Sequence, residues 1–275
     1  MFTRRDFLRT SSLLALAPAV PGFLASTARA AKPERDGRVL VVIQLDGGND
    51  GINTVVPFKD EGYAKHRKAL RLPTERLVKV SDTVGLHPSM GDFGKLLESG
   101  KLAVVQGVGY PNPNRSHFRS MAIWHTARLD AEEQAGLGWL GRGLDETPGA
   151  SSLLVGSGPP PVALRGRRAV ASAVERVEDF TLAAGADPRK ALPRDEPADE
   201  LAAFVRRSML DAYATADRLK AVSGEDGARY PQTGLGNRLR LIARLLKTGV
   251  GARVYYTAQG SYDTHSAQLG AHSNL

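Results

Sequence analysis

Apolar and polar positions follow a repeating order along this chain. Short apolar runs rich in β-branched residues end in turns of Gly and Asx residues, and stretches with helical spacing separate them. Residues 38–45 hold Val39, Leu40, Val41, Val42, Ile43 and Leu45, with Gln44 the one late polar interruption. Such a run predicts a strand buried on both faces, central in a parallel sheet. It stops at Asp46-Gly47-Gly48-Asn49-Asp50-Gly51, where the glycines allow backbone shapes that a Cβ forbids. Residues 53–57 predict a short return strand. Residues 92–98 predict a short helix with Phe93, Leu96 and Leu97 on one face and Gly100 as its cap. Residues 102–108 predict a second buried strand, ending in Tyr110-Pro111-Asn112-Pro113-Asn114, with a helix starting near Ser116.

Further along, residues 151–182 carry short apolar runs around Pro159, Pro160 and Pro161, and predict β-hairpins or an irregular insertion. Residues 185–198, rich in Pro, Asp and Arg, predict a surface loop. Residues 199–222 and 234–247 have helical periodicity. In the second stretch Leu235, Leu239, Ile242, Leu245 and Leu246 form one face, and Gly249 stands just past the end. Residues 252–258 predict a third strand, leading to Gly260-Ser261-Tyr262-Asp263-Thr264-His265. Strands alternating with helices place the chain in the α/β class. The 275 residues suit one such domain over residues 38–275.

The first 30 residues read differently. Arg4 and Arg5 stand before Phe7-Leu8. A mild apolar core runs over residues 13–20, and Ala28-Arg29-Ala30 is a small-residue cleavage triplet. This order predicts a twin-arginine signal peptide, with residues 31–37 as a charged linker. The expected partners are the twin-arginine translocase and signal peptidase, and the expected location is the periplasm or outside the cell. The apolar stretch is short and interrupted by Pro18 and Pro21, whereas a membrane span needs about 20 apolar residues. No stable membrane anchor is expected.

Composition narrows the chemistry. The net charge is +8, but four arginines against one aspartate in residues 1–30 account for +3 of it. The remaining basic residues are scattered among acidic ones, so no nucleic-acid partner is expected. Cysteine is absent, which excludes disulfides, iron–sulfur clusters and thiolate-held metals. Gly107-Val108-Gly109 is only a fragment of a dinucleotide fingerprint. Any metal must be held by Asp, Glu, His or hydroxyl groups, a donor set suited to Lewis-acid hydrolysis.

Three polar clusters each follow a predicted strand, where ligands of open α/β sheets bind. At residues 46–50, Asp46 either caps backbone N–H groups of its turn or meets a divalent cation. At Asn114-Arg115-Ser116-His117-Phe118, Ser116 is either a helix N-cap or a nucleophile, and Arg115 and Arg119 can pair with anionic oxygens. At residues 263–265, Asp263 and His265 are oxygen and nitrogen donors suited to a zinc-like ion, or hydrogen-bonding residues. Among other histidines, His87 is expected as a capping or loop residue and His125 as structural. His66 is assigned no role, and His272 is expected on a solvated helix.

The twin-arginine leader, Gln44-Leu45-Asp46-Gly47-Gly48-Asn49-Asp50-Gly51, Asn114-Arg115-Ser116-His117-Phe118 with Trp124, and Gly260-Ser261-Tyr262-Asp263-Thr264-His265 occur in that order. Together they resemble the DUF1501 family of exported bacterial proteins, from about residue 38 onward. That family is similar in fold to the alkaline phosphatase and sulfatase superfamily. The resemblance implies an α/β fold with an alkaline-phosphatase-like sheet flanked by helices and metal ions at its carboxyl edge. It implies Asp46, Asp263 and His265 as ligands of a divalent metal (Zn, Mn or Ca), and Ser116 as nucleophile. Family members continue past the D-T-H segment, so the chain is expected to be C-terminally incomplete relative to them. The function these readings imply is hydrolysis of phosphate or sulfate esters, with an anionic small-molecule substrate. The alternative is a non-catalytic periplasmic binding or assembly protein on the same fold.

Overall fold

The computed structural model describes residues 38–130, 136–147, 150–176, 228–247, 249 and 252–275. The expected signal segment 1–30, the linker 31–37, the loop 185–198 and the helix 199–222 lie outside the described residues. The class is mixed α/β, with one four-stranded and one three-stranded sheet flanked by helices. Two compact units result. The first takes the described residues of Met1–Gln44 and Phe118–Ala258, the second Leu45–His117 and Gln259–Leu275.

In the first unit the sheet is built from β1 (Leu40–Leu45), β5 (Ser151–Val155), β6 (Val170–Val174) and β7 (Val254–Gln259), in the order β1-β7-β5-β6. Strand β5 runs parallel to both β6 and β7. All five residues of β5 are buried, because helices cover both faces. On one side lies α6 (Gly234–Lys247), whose Leu241, Ile242 and Leu245 pack with Leu153, Val155 and Tyr255. Burying each such side chain contributes about 1.5–3 kcal/mol. On the other side, Leu140 and Leu144 of α5 (Trp139–Asp145) join Ala163, Leu164, Leu154 and Tyr256. Helix α4 (His117–Thr126) belongs to this unit from Phe118 onward.

The second unit is smaller. Its three short strands β2 (Val55–Val56), β3 (Val78–Lys79) and β4 (Gly85–Leu86) are antiparallel in the order β2-β4-β3. Around them stand α1 (Gly51–Thr54), α2 (Glu61–His66), α3 (Gly91–Glu98) and α7 (Gln268–Ser273). Val56, Tyr63 and Leu72 form the core, with Phe58 and Leu77 against it.

Four sequence expectations are corrected. Strand β1 lies at the sheet edge, not its centre, and Leu40, Val41, Ile43 and Leu45 are exposed. Residues 102–108 form no strand; Val105 and Val108 are exposed, and Gly107 takes φ +68°. No hairpin joins β5 and β6: they are parallel and linked by a crossover through a 3₁₀ turn at Val162–Leu164. Helix α3 leaves Phe93 and Leu96 exposed and instead buries Gly94, where an added Cβ would lie 2.6 Å from Val78 Cγ1.

Candidate functional site

The second unit contains a cleft of about 890 Å³. Its walls include residues distant in sequence: residues 47–52, Arg67 and Leu70, residues 105–108 with His117, and Tyr262, Asp263, Thr264 and Gln268. The turn after β1 explains how they meet. Gly47 (φ +98°) and Gly48 (φ +85°) adopt a conformation side chains disfavour. An added Cβ at Gly47 would lie 3.1 Å from Asp263 N, and one at Gly48 would lie 3.1 Å from His117 Cε1. The two glycines therefore let Asp263 and His117 approach the turn. Asp46 donates its N–H to Gln259 O at 2.8 Å, which ties this turn to the segment leading into Asp263.

Asp263 is the centre of the titratable groups here. Its Oδ2 lies 3.1 Å from His265 Nε2 and 3.7 Å from His117 Nε2. Imidazole and carboxylate donors of this kind suit zinc or manganese better than calcium. Among the described residues, no three His, Asp or Glu side chains stand closed on one point for a metal ion.

Asp50 has a different role from its neighbours. Its Oδ1 accepts from Asn53 N at 3.2 Å, capping α1. Its Oδ2 accepts from Arg67 Nη1 at 2.6 Å and from the side-chain amide of Gln268. Asn49 pairs with Thr54, and His272 Nε2 lies 3.1 Å from Asn49 Oδ1. His272 also meets the His87 ring edge-on, with centroids 5.4 Å apart. Burial, His272 and Arg76 hold His87 below its ordinary pKa. Its Nδ1 accepts from Ser89 N at 3.1 Å, so it is the capping residue expected. His272 sits on a short helix as expected, but half-buried in this network rather than solvated. Tyr262, beside Asp263, has its hydroxyl pKa raised by burial.

The predicted site residues are distributed as follows. Asp263 lines the cleft, and His265 contacts its carboxylate. Asp46 sits at the glycine turn and is exposed. Arg115 has φ +60° and is exposed. Ser116 directly precedes α4 and donates its N–H to Asn114 Oδ1 at 3.0 Å, so Asn114 supplies the turn's side-chain acceptor. Arg119 falls in the first unit, where its guanidinium donates to Leu129 O. His125, also there, pairs its Nε2 with Gln44 Oε1 at 2.9 Å, in keeping with a structural role. His117 stands within the Asn114-Arg115-Ser116-His117-Phe118 motif, where the sequence assigns it no role. Its signal was the position next to Ser116 at a helix start, but nothing in the sequence paired it with Asp263.

No family model, curated protein or solved structure matches the chain.

Proposed function

We propose that the chain is an exported, metal-dependent hydrolase of phosphate or sulfate esters, akin to the DUF1501 proteins its motifs resemble. The observation that carries this reading is the cleft. The glycine turn after β1, the start of α4 and the segment after β7 supply its walls within one compact unit. Asp263 and His265, with Asp46 at the turn, would hold a divalent ion, which supplies charge neutralisation and a lowered pKa for a bound hydroxyl. Ser116 is the nucleophile of this reading, and Arg115 the partner of the ester's anionic oxygens. The chain reaches the periplasm through the twin-arginine route by its leader pattern.

The second reading, a non-catalytic binding or assembly protein, is favoured by one observation. Neither Ser116 nor Arg115 is part of the cleft lining. The purified chain is therefore assayed on aryl phosphates and aryl sulfates with added zinc, manganese or calcium, beside Ser116→Ala and Asp263→Ala. Turnover lost in both variants supports the hydrolase. Turnover absent with every metal moves the assignment to the binding protein; turnover unchanged in both variants removes Ser116 and Asp263 from the reaction.

A further inference from the structure

Strand β1 is an edge of its sheet: among the described residues its one strand neighbour is β7. Leu40 N donates to Arg253 O at 3.0 Å, and Asp46 N donates to Gln259 O at 2.8 Å. Donors and acceptors advance together and by equal steps, so the pairing is parallel and has no bulge. Backbone groups alternate in direction along a strand. The even-numbered residues of β1 therefore turn their N–H and C=O groups to β7, and Val39, Val41, Ile43 and Leu45 turn theirs outward. The side chains of these four share one face, and all are exposed. Natural edges are kept apart by charges, prolines and bulges, and residues 39–45 contain none of these. Charge stands only at the two ends of the run, Arg38 before it and Asp46 after it, both exposed.

That placement makes the strand complementary to itself. In an antiparallel pair of two copies with Val42 opposite Val42, each Arg38 lies opposite an Asp46. Val39 then faces Leu45 and Val41 faces Ile43, and these outward-turned residues exchange the ladder hydrogen bonds. The even-numbered residues form the pairs without hydrogen bonds, with Cα atoms about 4.5 Å apart and side chains closest. Both Arg38–Asp46 contacts fall in this class, and opposite charges directly across a ladder are favourable. Arg38 has five N–H donors, so it can take a carboxylate and keep other partners. Sliding one copy by two residues sets Arg38 against Gln44 or Gly48 and breaks both ion pairs. Sliding it by one sets outward-turned backbone groups against inward-turned ones.

We propose that β1 is the interface of a two-fold symmetric homodimer, with Val42 on the axis and an Arg38–Asp46 ion pair at each end. The partner this edge fits is a second copy of the chain. The dimer is independent of the hydrolase reading and needs neither metal nor turnover. It also leaves the ligand set above in place, because the Asp46 carboxylate has two oxygens and Arg38 of the second copy needs only one.

Sedimentation velocity on the full chain, over a dilution series without added metal, is the test, beside Arg38→Asp, Asp46→Arg and the double variant. A closed dimer is expected for the unmodified chain. Each single reversal sets like charges together at both ends, so the dimer Kd should rise at least about tenfold. The double reversal restores both pairs in swapped order, so its Kd should return to within about threefold of the parent. The chain has no cysteine, so Val42→Cys carries one thiol, placed on the axis, and should form a covalent dimer when oxidised with diamide. Ile43→Cys should not, since its two copies stand diagonally apart across the ladder. Should the charge variants fail to fold, the two cysteine variants decide alone. A chain that stays monomeric at every concentration, or that grows past a dimer, overturns the proposal. So does a Kd indifferent to the single reversals or not rescued by the double one, or cross-linking at residue 43 instead of 42. Dimerisation without ester turnover upholds the interface and sinks only the hydrolase.

Discussion

Tyr63 and Asn53 hold each other in the core of the second unit: the Tyr63 hydroxyl donates to Asn53 Oδ1 at 3.0 Å. The same hydroxyl accepts from Leu72 N at 2.8 Å, and Asn53 Nδ2 donates to Leu70 O at 2.9 Å. Both side chains are buried, so every one of these groups depends on the others for a partner. Tyr63→Phe keeps the ring but orphans Leu72 N and Asn53 Oδ1. The expected cost is about 1–3 kcal/mol, the penalty for buried groups left unsatisfied. Both tryptophans, Trp124 and Trp139, lie in the first unit, so fluorescence is the wrong probe. Hydrogen exchange over residues 53–72 checks it; unchanged protection in Tyr63→Phe would refute the network's role.

Asp50 braces the wall of the cleft. Its side chain is 9% exposed and its partner Arg67 25% exposed, so the pair is only partly screened. Asp50→Ala removes an N-cap, about 1 kcal/mol, and leaves the Arg67 guanidinium and the Gln268 amide without this acceptor. A combined loss of about 2–3 kcal/mol is expected. Denaturant unfolding followed by hydrogen exchange measures it. Asp50→Asn, which can still cap α1, should lose less than Asp50→Ala. Equal losses would mean that the cap contributes nothing.

His87 makes the second unit sensitive to acid. Its folded pKa lies below the ordinary 6.5, first through burial and then through His272 and Arg76. The unfolded chain therefore binds the proton more readily than the folded one. The resulting loss of stability is absent above about pH 6.5 and grows as pH falls from there toward the folded pKa. Protonation at Nδ1 would also remove the acceptor that Ser89 N uses. His87→Asn keeps a capping acceptor and cannot titrate, so it should flatten the decline below about pH 6.5. Thermal midpoints across that range decide it; a variant that declines as steeply as the parent would assign the sensitivity elsewhere.

The sequence was most legible where one helix face meets one sheet. The pattern of Leu239, Ile242 and Leu245 predicts residues 234–247 as helical, and α6 spans that stretch, with Gly249 at φ +68° after it. Strand β7 and the start of α4 were equally readable, since β-branched runs and Asx-rich turns leave local marks. What local pattern could not supply was neighbourhood. An apolar run such as Val39 to Ile43 looks the same in a central strand and in an edge strand, and β1 proves to be the edge. In that sheet the strand buried along its whole length is β5, where Ser151 and Ser152 hide the signal. The candidate site shows the same limit. Asp263 was legible as a D-x-H carboxylate, but its approach to Gly47 and His117 depends on contacts between residues far apart in sequence.

Helix α5 gives the sharpest contrast between two glycines in one short element. At Gly141 an added Cβ would lie 2.2 Å from both C and O of Arg165, and at Gly138 it would lie 2.0 Å from Val162 O. These neighbours are backbone, so no rotamer change relieves the clash. The strand-to-strand crossover is also fixed from its other side. The Asp145 carboxylate accepts the N–H groups of Arg167, Arg168 and Ala169 at 2.7–2.8 Å, bonds that hold its pKa low. The backbone at 165–166 therefore cannot retreat without breaking this clamp. Gly141→Ala should destabilise the first unit by about 3 kcal/mol, the upper end of overpacking costs, even after the gain of up to 1 kcal/mol from alanine's helix propensity. Gly143, two residues on, is exposed with nothing within 4 Å of an added Cβ. Gly143→Ala should stabilise the same unit by up to about 1 kcal/mol. Trp139 stands in this helix and reports both variants by fluorescence during urea unfolding. Opposite shifts of the midpoint are expected. If the two midpoints moved together, the close approach of α5 to residues 162–166 would be wrong.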